Sequence, residues 1–69
     1  MELKVRHEVD GHATSADYER VRSILERRKR EIRAGDMEHT FAFSPDPSWQ
    51  EHDGALHAVL PYKYAPERR

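Results

Sequence analysis

The sequence predicts one small α+β domain, a two-layer sandwich of one long helix on a three-stranded sheet in the order β-α-β-β. Three segments have the alternation or the apolar and aromatic content of strands, and a long segment after the first repeats its apolar residues at helical spacing. A chain of 69 residues supplies a single core. We expect the domain to span residues 1–64 and the tail, residues 65–69, to be frayed.

The first predicted strand covers residues 2–9, because charged and apolar residues alternate along them. Its inner face carries Leu3, Val5, His7 and Val9. Asp10 and Gly11 follow with the composition of a turn, so we expect the strand to end there.

The predicted helix covers residues 15–34. Thr14 and Asp17 have the spacing of a capping box at its start, and Gly35 follows its last residue. Its apolar stripe consists of Tyr18, Val21, Ile24, Leu25 and Ile32. Arg28 falls in the same sector, so we expect its guanidinium to reach out to water or to pair with a carboxylate.

Two further strands follow the helix. Residues 37–43 alternate again and place Met37, His39, Phe41 and Phe43 on one face. Residues 44–54 are a polar connector with two prolines, in which we expect a single helical turn to carry Trp49. Residues 55–64 form the last strand, antiparallel to the second, with Leu56, Ala58, Leu60, Tyr62 and Tyr64 facing inwards. Because Pro61 lacks a backbone donor, we expect this strand to lie at an edge of the sheet or to end its pairing there.

The charge of the chain is unevenly distributed. The net charge is -1, yet residues 20–33 hold seven basic and two acidic residues. The rest of the chain is therefore acidic, and such a basic helix can attract a polyanion or an acidic partner. The chain has no cysteine, its N-terminus lacks the pattern of a secretory signal, and no apolar segment approaches the roughly 20 residues that span a bilayer. We therefore expect a cytoplasmic protein that does not enter a membrane.

Five histidines raise the question of a metal site. Residues 7–12, HEVDGH, look like a stretched zinc motif, but His7 and His12 are separated by a strand end and a turn, and Glu8 points away from His7. His7 and His39 are the weak alternative, because both fall on inner faces of strands that are neighbours in one arrangement of the sheet. We expect no cofactor, and both histidines to bond to backbone or to tyrosine hydroxyls.

Nucleic-acid binding is the second functional hypothesis. It uses the basic helix, with phosphate contacts from Arg20, Arg27, Arg30 and Arg33. Against it, basic residues near the end of a helix also complement the helix dipole, and the chain contains neither a helix-turn-helix nor the aromatic strand motif of RNA-binding sheets.

Protein binding is the leading hypothesis, and we expect a non-catalytic adaptor, regulator or inhibitor. The chain lacks a catalytic constellation, and so small a core leaves little room for an enclosed pocket. The expected contact residues are Trp49, Gln50, Glu51, His52, Asp53, Tyr62 and Tyr64, although Trp49 is equally suited to cover the core. The exposed edge of the sheet is a further candidate surface, and pairing such edges would give a homodimer.

Overall fold

A computed structural model describes residues 1–65 of the chain; most of the expected frayed tail, residues 66–69, lies outside them. The elements in chain order are β1 (Glu2–Glu8), α1 (Ser15–Gly35), β2 (Phe41–Phe43), β3 (Ser48–His52) and β4 (Ala55–Tyr64). The α+β class is confirmed, with one helix on an antiparallel sheet. The number of strands differs from the prediction, since the sheet has four strands and not three.

The last strand, β4, lies at the centre of the sheet and not at its edge. It pairs antiparallel with β1 on one side and with both β3 and β2 on the other. Pro61 has no backbone N–H group to donate, and the strand tolerates this because Pro61 lies at the gap between β3 and β2. There, Ser44 N donates to Pro61 O at 3.0 Å. The first and second predicted strands are therefore not neighbours, because β4 separates them.

The connector contains a strand where a helical turn was expected. Trp49 lies in β3, and the two-residue turn Asp53–Gly54 joins β3 to β4 as a hairpin. Both turn residues have positive φ, 54° and 69°, which is the backbone of a type I′ turn. The prolines of residues 44–47 interrupt the edge between β2 and β3.

The second predicted strand is shorter than expected. Only Phe41–Phe43 pair with β4, while Asp36 accepts hydrogen bonds from the backbone N–H groups of Glu38 and His39 at 3.2 Å. This side-chain turn stops the helix and replaces the start of the strand.

The helix begins as predicted. Thr14 and Asp17 form a reciprocal capping box, in which Asp17 N donates to Thr14 Oγ1 and Thr14 N donates to Asp17 Oδ2. The core between the helix and the sheet consists of Leu3, Val5, Val21, Leu25, Leu56, Ala58 and Leu60. The opposite face of the sheet has no covering layer in the part of the chain that is described. No helix within residues 1–65 combines the length and the apolarity needed to cross a bilayer.

Candidate protein-binding edge

The edge of β1 is the most open backbone in the sheet. Tyr62 N donates to Met1 O at 2.9 Å and Val9 N to Gly54 O at 3.0 Å, so the odd-numbered residues of this segment bond to β4 and its hairpin turn. In an antiparallel pair, the even-numbered residues between them point their N–H and C=O groups to the opposite side of the strand. The N–H and C=O groups of Glu2, Lys4, Arg6 and Glu8 therefore face away from the sheet. Among residues 1–65, no strand pairs with them.

The other edge of the sheet is much less suitable for a partner strand. It consists of β2 and β3, which contain three and five residues and are separated by residues 44–47 with Pro45 and Pro47. Short strands and prolines are features that protect an edge from pairing. By contrast, β1 is seven residues long and contains neither proline nor glycine.

The helix flank beside β1 is basic. His7 of β1 lies 3.1 Å from Asp17 of the helix, measured between Nε2 and Oδ1, and this contact identifies the flank that faces β1. Residues three, four and seven positions apart share a flank, which places Arg20, Ile24 and Arg27 with Asp17. A shallow depression there is lined by Arg20, Ser23, Ile24, Arg27 and Arg30.

The opposite flank of the helix faces β3 and the connector. Arg22 stacks over the Trp49 ring, with its guanidinium carbon 5.3 Å from the ring centroid. Arg22 and Lys29 line a cleft with Pro45 and Pro47. The arginines of the two flanks are thus in different environments, although they follow one another in the sequence.

The arginines of the nucleic-acid hypothesis do not form one group. Arg20, Arg27 and Arg30 line the depression on the exposed helix, while the Arg33 guanidinium lies 4.9 Å from the Phe43 ring centroid at the other side of the helix. Arg28 is exposed, and it is Lys29 that has the shielded side chain, at 16% exposure, with its ammonium 2.8 Å from Glu26. The helical periodicity alone did not single out Lys29.

Trp49 packs on the core. Its ring meets Tyr18 edge to face at a centroid distance of 4.8 Å, and the side chain is half-buried against the core cluster. Gln50 and His52 point to the uncovered face of the sheet, whereas Glu51 points with Trp49 to the helix side. The expected contact set around Trp49 is therefore divided between two faces.

Glu51 binds the segment just before the helix and is not a free rim residue. Its carboxylate accepts a hydrogen bond from Ala13 N and lies 3.4 Å from His12 Nδ1. These two hydrogen bonds hold the pKa of Glu51 below its ordinary 4.5. In the same way, the hydrogen bond from the Thr14 backbone, and then that from His7, lowers the pKa of Asp17.

On the uncovered face, two histidines stack. The rings of His52 and His57 are 4.1 Å apart and nearly parallel, at 9°. Nε2 of His57 is buried without a hydrogen-bond partner, and His52 Nδ1 lies 3.1 Å from Asp53. The hairpin register brings the two residues together, and the Asp53–Gly54 turn between them is the sequence signal for that hairpin.

Tyr62 and Tyr64 belong to an aromatic cluster at the far end of β4. Their rings meet those of Phe41 and Phe43 at centroid distances from 5.1 to 5.8 Å. Tyr64 remains 50% exposed, so this end adds some apolar surface to the outside of the protein. It lies at the other end of β4 from the Asp53 turn, so the two tyrosines and the Trp49 segment do not form one surface.

The two histidines of the metal hypothesis lie far apart in the sheet. His7 bonds to Asp17 in the β1 region, and His39 Nδ1 lies 3.0 Å from Asp36, beyond β4. The His39 contact is also the main cause that lowers the pKa of Asp36. Within residues 1–65, no group of three His, Cys, Asp or Glu side chains is placed to hold a metal ion.

The geometry defines a small α+β domain with an open sheet edge at β1. No protein-family model, curated protein or solved structure matches the chain. The functional interpretation therefore rests on the physical chemistry of the edge.

Proposed function

We propose that this protein is a small non-catalytic protein-binding module that adds an extended segment of its partner to the free edge of β1. The observation that carries the proposal is the row of outward backbone groups on Glu2, Lys4, Arg6 and Glu8. An extended segment that pairs there gains main-chain hydrogen bonds along a strand, and its side chains alternate between two flanking surfaces. Such a module acts as an adaptor, regulator or inhibitor, and we propose a cytoplasmic location for it.

The local packing supports a rigid edge. Leu3 and Val5 are buried under the helix, and the odd residues of β1 are bonded to β4. A partner strand therefore meets a backbone that is already ordered, which reduces the entropic cost of binding. Ile24 on the helix adds one partly buried apolar side chain to this flank.

The test removes one outward N–H group without changing the inward ones. We expect Arg6→Pro to abolish the binding of linear peptides selected from a display library, because proline removes the donor that faces the partner. Arg6→Ala is the matched control, since it removes the same side chain and keeps the donor. Binding that survives Arg6→Pro, or that is lost equally in Arg6→Ala, would contradict the proposal.

A second measurement does not depend on how well the proline variant folds. In the wild-type protein, addition of a selected peptide should shift the backbone amide resonances of residues 2–8 in two-dimensional NMR spectra. The outward amides of Lys4 and Arg6 should also become protected from hydrogen exchange. Ligands whose shifts map to Trp49 or to the aromatic end would show that the binding surface lies elsewhere.

A further inference from the structure

We infer that the segment bound at β1 is an acidic extended strand of another protein, because the helix flank on the β1 side carries several arginines and the middle of β1 carries two basic side chains, between Glu2 and Glu8 at its ends. This inference rests on the proposed function and specifies its partner. On the helix side, Arg20 and Arg27 lie in one depression with Ile24 between them. On the uncovered face, the middle of β1 carries Lys4 and Arg6.

The side chains of an added strand alternate between these two surfaces. Those on the helix side meet an aliphatic residue flanked by arginines, and those on the other side lie opposite Lys4 or Arg6. Opposite charges directly across a strand pair stabilise it, and like charges destabilise it. Glutamates or aspartates on both faces of the segment, with aliphatic residues between them, therefore fit this edge best.

The acids near this edge offset only part of the positive charge of the helix flank, and three of them are already in contact with other groups. Asp17 is engaged by Thr14 and His7, and Glu31 lies 3.9 Å from Arg27 Nε in a loose exposed pair. Glu8 lies 3.4 Å from Arg6 Nη1 at the end of β1. Exposed pairs of this kind contribute little and exchange easily for a partner carboxylate.

A second copy of the chain is a poor occupant of the same edge. Antiparallel pairing with full overlap places Lys4 opposite Arg6 and Glu2 opposite Glu8, so that every pair across the interface has like charges. Registers shifted by two residues place Lys4 opposite itself, or Arg6 opposite itself, on the twofold axis, and this like-charge pair lies between two pairs of opposite charge. In a continuous sheet the two basic helix flanks also approach each other.

The probes are three synthetic peptides of about eight residues, long enough to span β1. They share one pattern of valine and threonine and carry Glu, Gln or Lys at the same positions on both faces. We expect the Glu peptide to shift the amide resonances of residues 2–8, the Gln peptide to bind at least about tenfold more weakly, and the Lys peptide not to bind. Binding of the Glu peptide should weaken as the salt concentration rises.

Paired charge reversals locate the contribution of the helix. The double variant Arg20→Glu, Arg27→Glu should weaken binding of the Glu peptide by about tenfold or more. The control, Arg22→Glu with Arg33→Glu, changes the net charge equally on the opposite flank and should change the affinity by less than about threefold. Circular dichroism establishes that both variants are folded.

Each failure has a distinct meaning. If the Gln or Lys peptide binds β1 as tightly as the Glu peptide, or if both double variants lose affinity equally, the acidic-partner inference is wrong while edge binding stands. If none of the peptides affects residues 2–8, the proposed function itself is wrong. If a single-stranded oligonucleotide binds through Arg20 and Arg27 and Arg6→Pro leaves that binding intact, the basic flank serves nucleic acid and the inference is overturned.

Discussion

His7 Nε2 lies 3.1 Å from Asp17 Oδ1, and this contact joins the end of β1 to the first turn of the helix. The same carboxylate accepts a hydrogen bond from the Thr14 amide at 2.8 Å. A single acidic side chain therefore caps the helix and fixes it against the strand. The flank that carries Arg20 and Arg27 takes its position beside the edge of β1 from this junction.

The N-cap should contribute measurably to stability. We expect Thr14→Ala to lower the free energy of unfolding by about 1 kcal/mol, because the hydroxyl that accepts from Asp17 N is lost. Urea denaturation followed by circular dichroism measures the change. Ser15→Ala, one residue further on, is the control and should have an effect of less than about 0.5 kcal/mol. Equal effects of the two substitutions would show that the capping box does not stabilise the fold.

Acid should destabilise the protein through its lowered carboxyl pKa values. The pKa values of Asp17, Asp36 and Glu51 are lower in the folded state than their ordinary values of 3.8, 3.8 and 4.5, so folding favours their ionised forms. Their contribution is fully present above the ordinary pKa and is lost as the pH falls through the lowered one. Tm should therefore drop as the pH is lowered from 4.5 through and below 3.8.

Glu51→Gln isolates one part of this pH dependence. The amide still accepts a hydrogen bond from Ala13 N but does not titrate, so the variant should lose less of its Tm between neutral and acidic pH than the wild type. Glu2→Gln removes an exposed carboxylate at the start of β1 and serves as the control. If Tm depends on pH in Glu51→Gln as it does in the wild type, the Glu51 carboxylate does not contribute to acid sensitivity.

Trp49 should behave as a core residue. We expect Trp49→Ala to lower the free energy of unfolding by about 2 to 3 kcal/mol, because the ring packs on Tyr18 and covers the core beside Ala58. Trp49→Phe keeps most of the apolar contact and should cost less than half as much. Thermal and urea unfolding measure both. A stable Trp49→Ala protein that no longer binds the Glu peptide would instead assign the ring to the contact surface.

The wild-type protein should be monomeric, and removal of the repelling charges should change that. We expect the double variant Lys4→Val, Arg6→Val to self-associate at micromolar concentrations. An apolar edge strand without these charges pairs with the same strand of another molecule. Light scattering across a dilution series measures the mass. Lys63→Val with Ala42→Val adds comparable apolar area near the protected end of the sheet and is the control. A wild-type dimer that dissociates in Arg6→Pro would contradict the charge argument.

The part of the fold that follows from local pattern was predictable. Residues 2–9 and 55–64 alternate or concentrate apolar residues, and Thr14 with Asp17 gives a capping signal, so β1, β4 and the start of the helix were predicted within a residue or two. The Asp53–Gly54 turn was also visible in the sequence as a hairpin signal. It was overlooked because the polar segment before it, SWQEH, lacks the strong alternation of a strand.

The sequence predicted the parts of the candidate site but not their arrangement. A basic helix and an exposed sheet edge were both expected, but their juxtaposition depends on which helix flank faces β1. The contact set around Trp49 was wrong as a single surface, because alternate residues of a strand point to opposite faces. The stacking of His52 on His57 follows from the register of the hairpin, whose Asp53–Gly54 signal was overlooked.

By itself, the sequence determined one core, one long capped helix and strands at both ends of the chain, because periodicity and capping act over a few residues. The tertiary structure decided that β4 lies in the middle and β1 at an open edge, since the order of strands depends on how the whole core is buried. It also decided that Arg20 and Arg27 lie with Ile24 in one depression of the helix surface while Arg22 and Arg33 stack on rings elsewhere. The sequence sets the number of basic residues on the helix, and the packing sets which surface of the protein carries them.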